Sequence, residues 1–171
     1  MLAWGKKVSE EFREKVNGIC QELGTEPDYL VACMAFESGE TFSPSIKNAA
    51  GSGAVGLIQF MPATAQALGT TTQDLAAMTA EEQLEYIAKY FSPRKNELSS
   101  LEDVYMAILW PVAIGEPLDY VLFYKDDPEH LKRYIQNQGL DFNKDGKITK
   151  AEASDMVRKK LEKGLLSEFA S

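Results

Sequence analysis

Eight consecutive residues, Tyr29 to Phe36, read Tyr-Leu-Val-Ala-Cys-Met-Ala-Phe and offer almost no polar face. Pro27, two positions earlier, suits the first turn of a helix. A helix that is apolar on every side has to be buried, so this segment predicts a central helix that the rest of the chain must cover. The apolar run ends in one carboxylate, Glu37, and passes directly into Ser38, Gly39 and Glu40.

The covering elements are legible as helices. Val8, Phe12, Val16, Ile19, Cys20 and Leu23 recur at helical spacing, and Gly24 stops the run as a C-terminal cap. Thr79 with Glu82 forms a capping box ahead of Leu84, Ile87, Ala88 and Phe91, before Ser92-Pro93 breaks the pattern. Ser99 with Glu102 repeats that signature ahead of Val104, Ala107 and Ile108. Pro111 and Gly115-Glu116-Pro117 interrupt, and helical spacing returns after Pro128 with Leu131, Tyr134 and Ile135. Alternating strand patterns are scarce, which predicts a mainly α protein. Cys20 and Cys33 fit no metal or redox spacing and are expected to be buried free thiols.

Glu37 stands out on physical grounds. At the C-terminal end of a buried helix, desolvation and the negative end of the helix dipole both disfavour a carboxylate, so its pKa should rise. A carboxylic acid still protonated near neutral pH is what glycosidic bond cleavage needs at the leaving oxygen. The plainer alternative is a glutamate that merely reaches solvent at the helix end.

Residues 49 to 65, Ala-Ala-Gly-Ser-Gly-Ala-Val-Gly-Leu-Ile-Gln-Phe-Met-Pro-Ala-Thr-Ala, put three glycines ahead of an apolar stretch, a backbone able to approach a ligand closely and form one wall of a groove. Gln59 can donate and accept at once, which suits sugar hydroxyl or acetamido groups, and Met61 offers an adaptable apolar contact. A structural glycine turn leading into a short helix at Pro62 is the alternative.

Together, Glu37-Ser38, Gly53-Ala54-Val55-Gly56-Leu57-Ile58-Gln59 and Met61-Pro62-Ala63-Thr64-Ala65 resemble the signature of the soluble lytic transglycosylases, most closely over residues 30 to 70. The resemblance implies a lysozyme-like, goose-type helical fold and cleavage of the β-1,4 bond between N-acetylmuramic acid and N-acetylglucosamine in peptidoglycan. Glu37 would be the sole catalytic acid and base, giving 1,6-anhydro ends. Ser38, Gln59 and Met61 would contact substrate. Where the family has serine or threonine this chain has Ala50, so that contact is either lost or supplied by Ser52, two positions later. The family's third motif, Ala-Tyr-Asn-Ala-Gly, has no clean counterpart, and Tyr105 or Trp110 is expected either to hold the carboxyl or stack on a sugar, or else to pack in the core. Glu40, if it faced the groove, would make the enzyme a hydrolytic muramidase. A non-catalytic, calcium-dependent wall-binding protein is the alternative from another class.

Residues 141 to 152 match the EF-hand calcium loop. Asp141, Asn143 and Asp145 supply side-chain oxygens, Gly146 the sharp turn, Lys147 a carbonyl, Thr149 the water-mediated site and Glu152 the bidentate closure, with Ile148 pointing inward. Helices over Glu129 to Gln138 and Ala151 to Lys163 should flank it. With one loop in view, a single structural Ca2+ is expected rather than a sensor pair.

The expected organisation is a catalytic domain over 1–127 with an EF-hand-like helix-loop-helix over 128–167 packed on it, acting as a monomer. A formal net charge of −8 argues against nucleic acid, whose phosphates demand clustered Lys and Arg. No apolar run is long enough to span a bilayer. The N-terminus turns polar before a secretory core could form, so an enzyme acting at the bacterial cell wall or in the periplasm is expected to be a phage endolysin or virion-associated enzyme.

Overall fold

In the computed structural model, which describes residues 1–171, eight α-helices and one two-stranded sheet follow in the order α1 (Glu10–Leu23), α2 (Pro27–Glu37), α3 (Pro62–Ala67), α4 (Thr72–Ala77), α5 (Ala80–Phe91), α6 (Leu101–Leu109), β1 (Val121–Tyr124), α7 (Leu131–Asn137), β2 (Lys147–Thr149) and α8 (Lys150–Gly164). Their ends obey local chemistry. Ser9 caps α1 by accepting the Phe12 amide, and Gly24 closes it with a left-handed backbone. Thr79 and Glu82 form the expected reciprocal capping box at α5. At α6 the cap is shifted by one residue. Ser100, not Ser99, accepts the amide at the third helical position, Asp103, while the Ser99 hydroxyl donates to the Asp103 carboxylate.

The all-apolar helix is the centre. Leu30 through Ala35 are buried, and α2 packs among α1, α6 and α8. Burying each of its larger side chains, such as Leu30, Val31 and Met34, contributes roughly 1.5–3 kcal/mol. The C-terminal helix belongs to the same core, because Ala153, Val157 and Leu161 join the one cluster that contains α2. Both cysteines are free and buried.

A short antiparallel pair was not expected from the sequence. Phe123 of β1 pairs with Ile148 of β2, both buried, with an irregularity between Val121 and Phe123. The helices flanking the 141–152 loop are shorter before it and slightly longer after it than their patterns suggest, at Leu131–Asn137 and Lys150–Gly164. No helix is long and apolar enough to cross a membrane.

Candidate active site

Glu37 is the last residue of α2 and opens into a cleft of ≈650 Å³. The turn that follows fixes its position. Ser38 is fully buried, its amide donating to Met34 and its hydroxyl accepting from Phe42 at 3.0 Å, and the Thr41 hydroxyl donates to the Ser38 carbonyl at 2.7 Å. Gly39, Glu40 and Phe42 all have positive φ, at 60°, 65° and 51°. For the two non-glycine residues this is a strained conformation that surrounding contacts must hold.

Those contacts turn Glu40 away from the cleft. Its carboxylate is paired with Lys160 and, at 2.7 Å, with Lys163 of α8, and these ammonium groups hold its pKa below the ordinary carboxylate value. Glu40 therefore does not supply a second carboxylate beside Glu37.

One wall of the cleft is the glycine-rich loop. Lys47 and Phe60 each bridge to Val55, and Gly56 donates to the Ile46 carbonyl at 2.9 Å. Behind the wall lies Gln83, which has no exposed surface. Its carbonyl oxygen accepts from Leu57 at 2.8 Å, and its amide donates to Pro44 and Leu75, each at 2.9 Å. A β-carbon on Gly56 would stand 2.3 Å from that oxygen, and φ there is +89°, so the position has room only for glycine. Gln83→Leu leaves the buried Leu57 amide and the partly buried Pro44 carbonyl without partners, while the Leu75 carbonyl keeps the Met78 amide. Each such loss costs roughly 1–3 kcal/mol, and urea denaturation should show a clearly lower midpoint than wild type.

On the exposed side of this wall, Gln59 and Met61 face the cleft, with Ser52 and Asn48 beside them. Gln59 (φ +56°) donates both amide hydrogens to backbone, at Gly56 and Ile46, leaving only its carbonyl oxygen outward. Ala50 and Ser52 both line the cleft. Ile108 and Leu109, at the end of α6, form an apolar stretch. Gln136 and Asn137, at the end of α7, line the same space.

Three expected substrate contacts lie elsewhere. Ser38 is buried as described, and its role is to shape the turn after Glu37. Tyr105 is only 4% exposed and packs edge-on against Phe36, with ring centroids 5.7 Å apart. Burial, with the charge of Glu37 second, pushes its phenol above its ordinary value, and with so little exposed surface it does not line the cleft. Trp110 packs against Phe123 and carries the Arg133 guanidinium 4.4 Å over its ring. It braces α7 and does not line the cleft.

Burial alone raises Glu37 from 4.5 to about 7. It is the only ionisable side chain lining the cleft; the remaining polar groups are carboxamides and a serine. Such a site can deliver one proton and can hold neutral ligands rich in hydrogen-bonding groups.

The 141–152 loop lies on the far side of α7. Lys144 and Gly146 have φ of 57° and 82°, producing the sharp turn. The Asp141 carboxylate accepts from the Tyr134 hydroxyl at 2.6 Å and from the Gly146 and Asp145 amides, and the first of these leads in holding it below its ordinary value. Asn143 and Asp145 also accept backbone amides within the loop. Ile148 is buried, pointing inward as expected. Lys147 and Thr149 occupy β2. Glu152 forms a capping box with Thr149 at the start of α8 and reaches back to the Phe142 amide at 3.2 Å. As the side chains lie, no three acidic, histidine or cysteine groups gather around a common metal position.

Compared with known families, residues 16–108 match the model described as the transglycosylase SLT domain, more than half of the 171-residue chain. The matched segment contains Glu37, the glycine-rich wall and Tyr105, whereas α7, the 141–152 loop and α8 lie beyond it. No curated protein matches the chain.

Proposed function

Because this chain belongs to the transglycosylase SLT domain family, whose members are glycan-cleaving lytic transglycosylases that act on peptidoglycan, we propose that it cuts the MurNAc-β-1,4-GlcNAc bond with Glu37 alone and leaves 1,6-anhydro-MurNAc ends. The observation that carries this reading is the solitary, half-buried carboxyl, raised to about 7, in a cleft otherwise lined by neutral side chains.

Protonated Glu37 gives its proton to the glycosidic oxygen as the bond from that oxygen to the muramoyl C1 breaks. The substrate's own 2-acetamido group stabilises the positive charge at C1. The muramoyl 6-hydroxyl then bonds to C1, and its proton returns to Glu37, so no water is consumed. The attacking hydroxyl is already tethered to the sugar and loses little entropy on reaction, which is why a single side chain suffices. In the usual inverting and retaining hydrolases a second carboxylate stands on the cleft, and Glu40, the nearest candidate along the chain, is instead paired with Lys160 and Lys163 of α8. Gln59, Ser52 and Met61 contact the glycan along the loop wall.

Digesting purified peptidoglycan and weighing the soluble fragments tests the reading. Muropeptides lighter by one water than the hydrolytic product are expected; full-mass reducing ends would replace the transglycosylase reading with a muramidase.

For the 141–152 loop we propose one structural Ca2+. The donor set of Asp141, Asn143, Asp145, the Lys147 carbonyl, Thr149 through water, and Glu152 is all oxygen, which suits this hard cation, and the backbone already carries the required turn. The ion would take over carboxylate oxygens that now accept backbone amides. Its chemistry is confined to fixing the loop between α7 and α8. At calcium about a hundredfold above Kd the native state gains about 2.7 kcal/mol, so chelation should lower the melting temperature by roughly 5–10 °C. An unchanged midpoint would remove calcium from the account.

A further inference from the structure

The family-matched segment builds only part of the cleft. Gln136 and Asn137 come from α7, outside residues 16–108, yet they line the same space as Glu37. Their polar groups are free for a ligand. The Gln136 carboxamide makes no hydrogen bond within the protein. Asn137 donates once, to the Arg133 carbonyl at 2.9 Å, which leaves its carbonyl oxygen and second hydrogen open.

The loop wall cannot replace them. Both amide hydrogens of Gln59 are held by Ile46 and Gly56, and the Asn48 carbonyl oxygen is held by the Ala50 amide at 2.7 Å. Among the cleft amides, Gln136 is the one with no hydrogen bond in the protein, so its donors and its acceptor are all free. Together they match an acetamido group, donating to its carbonyl and accepting from its N–H.

The position of this wall is well defined. Arg133, one turn before Asn137, stacks over Trp110, and Tyr134 donates to Asp141. These two contacts tie α7 to Trp110 and to the 141–152 loop.

We propose that Gln136 and Asn137 are substrate-binding, specificity-determining residues: Gln136 pairs with the acetamido group of one sugar and Asn137 with a neighbouring hydroxyl. They supply from α7 a polar part of the cleft that Glu37 lines. The inference rests on the glycan-cleaving reading of the cleft, but it concerns binding and is tested without turnover.

Calorimetric titration of the Glu37→Gln protein, with and without Gln136→Ala and Asn137→Ala, provides the test. The probes are the hexamer of β-1,4-linked N-acetylglucosamine and the neutral hexamer of β-1,4-linked glucose, which has hydroxyls in place of acetamido groups. Gln136→Ala should weaken the acetylated hexamer about tenfold while leaving the glucose hexamer within about twofold, narrowing the preference between them. Asn137→Ala should weaken both. Equal affinity for the acetylated hexamer with and without Gln136 would overturn the inference while leaving the catalytic reading intact. Equal weakening of both probes by Gln136→Ala would overturn the acetamido assignment. If the Glu37→Gln reference protein bound neither probe, the glycan reading of the cleft would fail as well. Both side chains have solvent access, and unchanged melting temperatures would exclude loss of fold as the cause.

Discussion

Glu37→Gln is expected to abolish release of soluble muropeptides, with a loss of at least about a thousandfold, while making the folded protein more stable at pH 8. The loss follows from the cleft, where Glu37 is the only proton donor and no second carboxylate stands in for it. General acid–base assistance is typically worth 10²–10⁴-fold, and in the proposed mechanism a single group performs both halves. The gain in stability follows from the same burial. A carboxyl raised from 4.5 to about 7 keeps its proton in the folded state over a range where the unfolded chain has lost it. Stability therefore falls as pH rises between those values and stays reduced above them, by about 3 kcal/mol. A neutral glutamine removes that penalty, so urea midpoints of mutant and wild type should coincide near pH 4, draw apart between about pH 4.5 and 7 and keep a constant gap above that. The wild-type rate, measured as kcat/KM, should fall as pH rises through about 7, because the acid form is the one that begins the reaction. A mutant that lost activity by misfolding would move the midpoints the other way.

The central helix and its terminal carboxyl were legible because both break an expectation visible in one dimension. An eight-residue apolar run has no face to give to water, and a carboxylate at its end is out of place. Other features were lost to ambiguity. Ser99 and Ser100 each have an acidic residue three positions on, so either reads as a helix cap, and the choice is made by the geometry that gives Asp103 both a serine hydroxyl and Gly115 as partners. The strand at Val121 to Tyr124 shows no polar alternation because Leu122 and Phe123 are both buried across an irregular register. Glu152 fits a calcium ligand and a capping-box residue equally well by spacing alone.

The cleft was half legible for a related reason. Gln59 and Met61 lie within a compact local motif, but Gln136 and Asn137 come to the cleft on α7, far along the chain from Glu37, where Arg133 stacks on Trp110 and Tyr134 bonds to Asp141. An amide pair at a helix end carries no local sign of that. Likewise, no spacing argument places Glu40. Three residues beyond Glu37 on a continuing helix it would lie near the same face, but the left-handed turn at Gly39 and Glu40 swings it to Lys160 and Lys163.

Lys150→Met should destabilise the protein by about 3–5 kcal/mol at pH 7, the expected penalty for leaving one partner of a buried ion pair alone. Lys150 is 2% exposed and Asp103 4%, and their charged atoms are 2.6 Å apart. Lys150 also donates to the Glu116 carbonyl at 2.7 Å, while Asp103 accepts from the Gly115 amide and the Ser99 hydroxyl. Two segments far apart in sequence, the first turn of α8 and the whole of α6 with its following turn, are thereby joined through one ammonium group. Burial works against the Asp103 charge, but Lys150, then the Gly115 amide, outweigh it and hold the carboxyl below 3.8. The stability this contributes is present above that value and is lost as pH falls through the lower folded one. Without Lys150 the carboxyl can escape its unpaired charge by taking a proton, so the gap between mutant and wild type in urea midpoint should narrow below about pH 4. Replacing both partners, Lys150→Met with Asp103→Leu, removes the stranded charge and should recover much of the loss, as buried pairs exchanged whole for apolar groups often do. If the double variant were as unstable as the single one, the ion pair would be ruled out as the cause and the packing of the lysine stem would take its place. Ile108 and Leu109 of α6 line the cleft on one side and the loop preceding α8 anchors α7 on the other, so loosening this join should also raise KM for peptidoglycan.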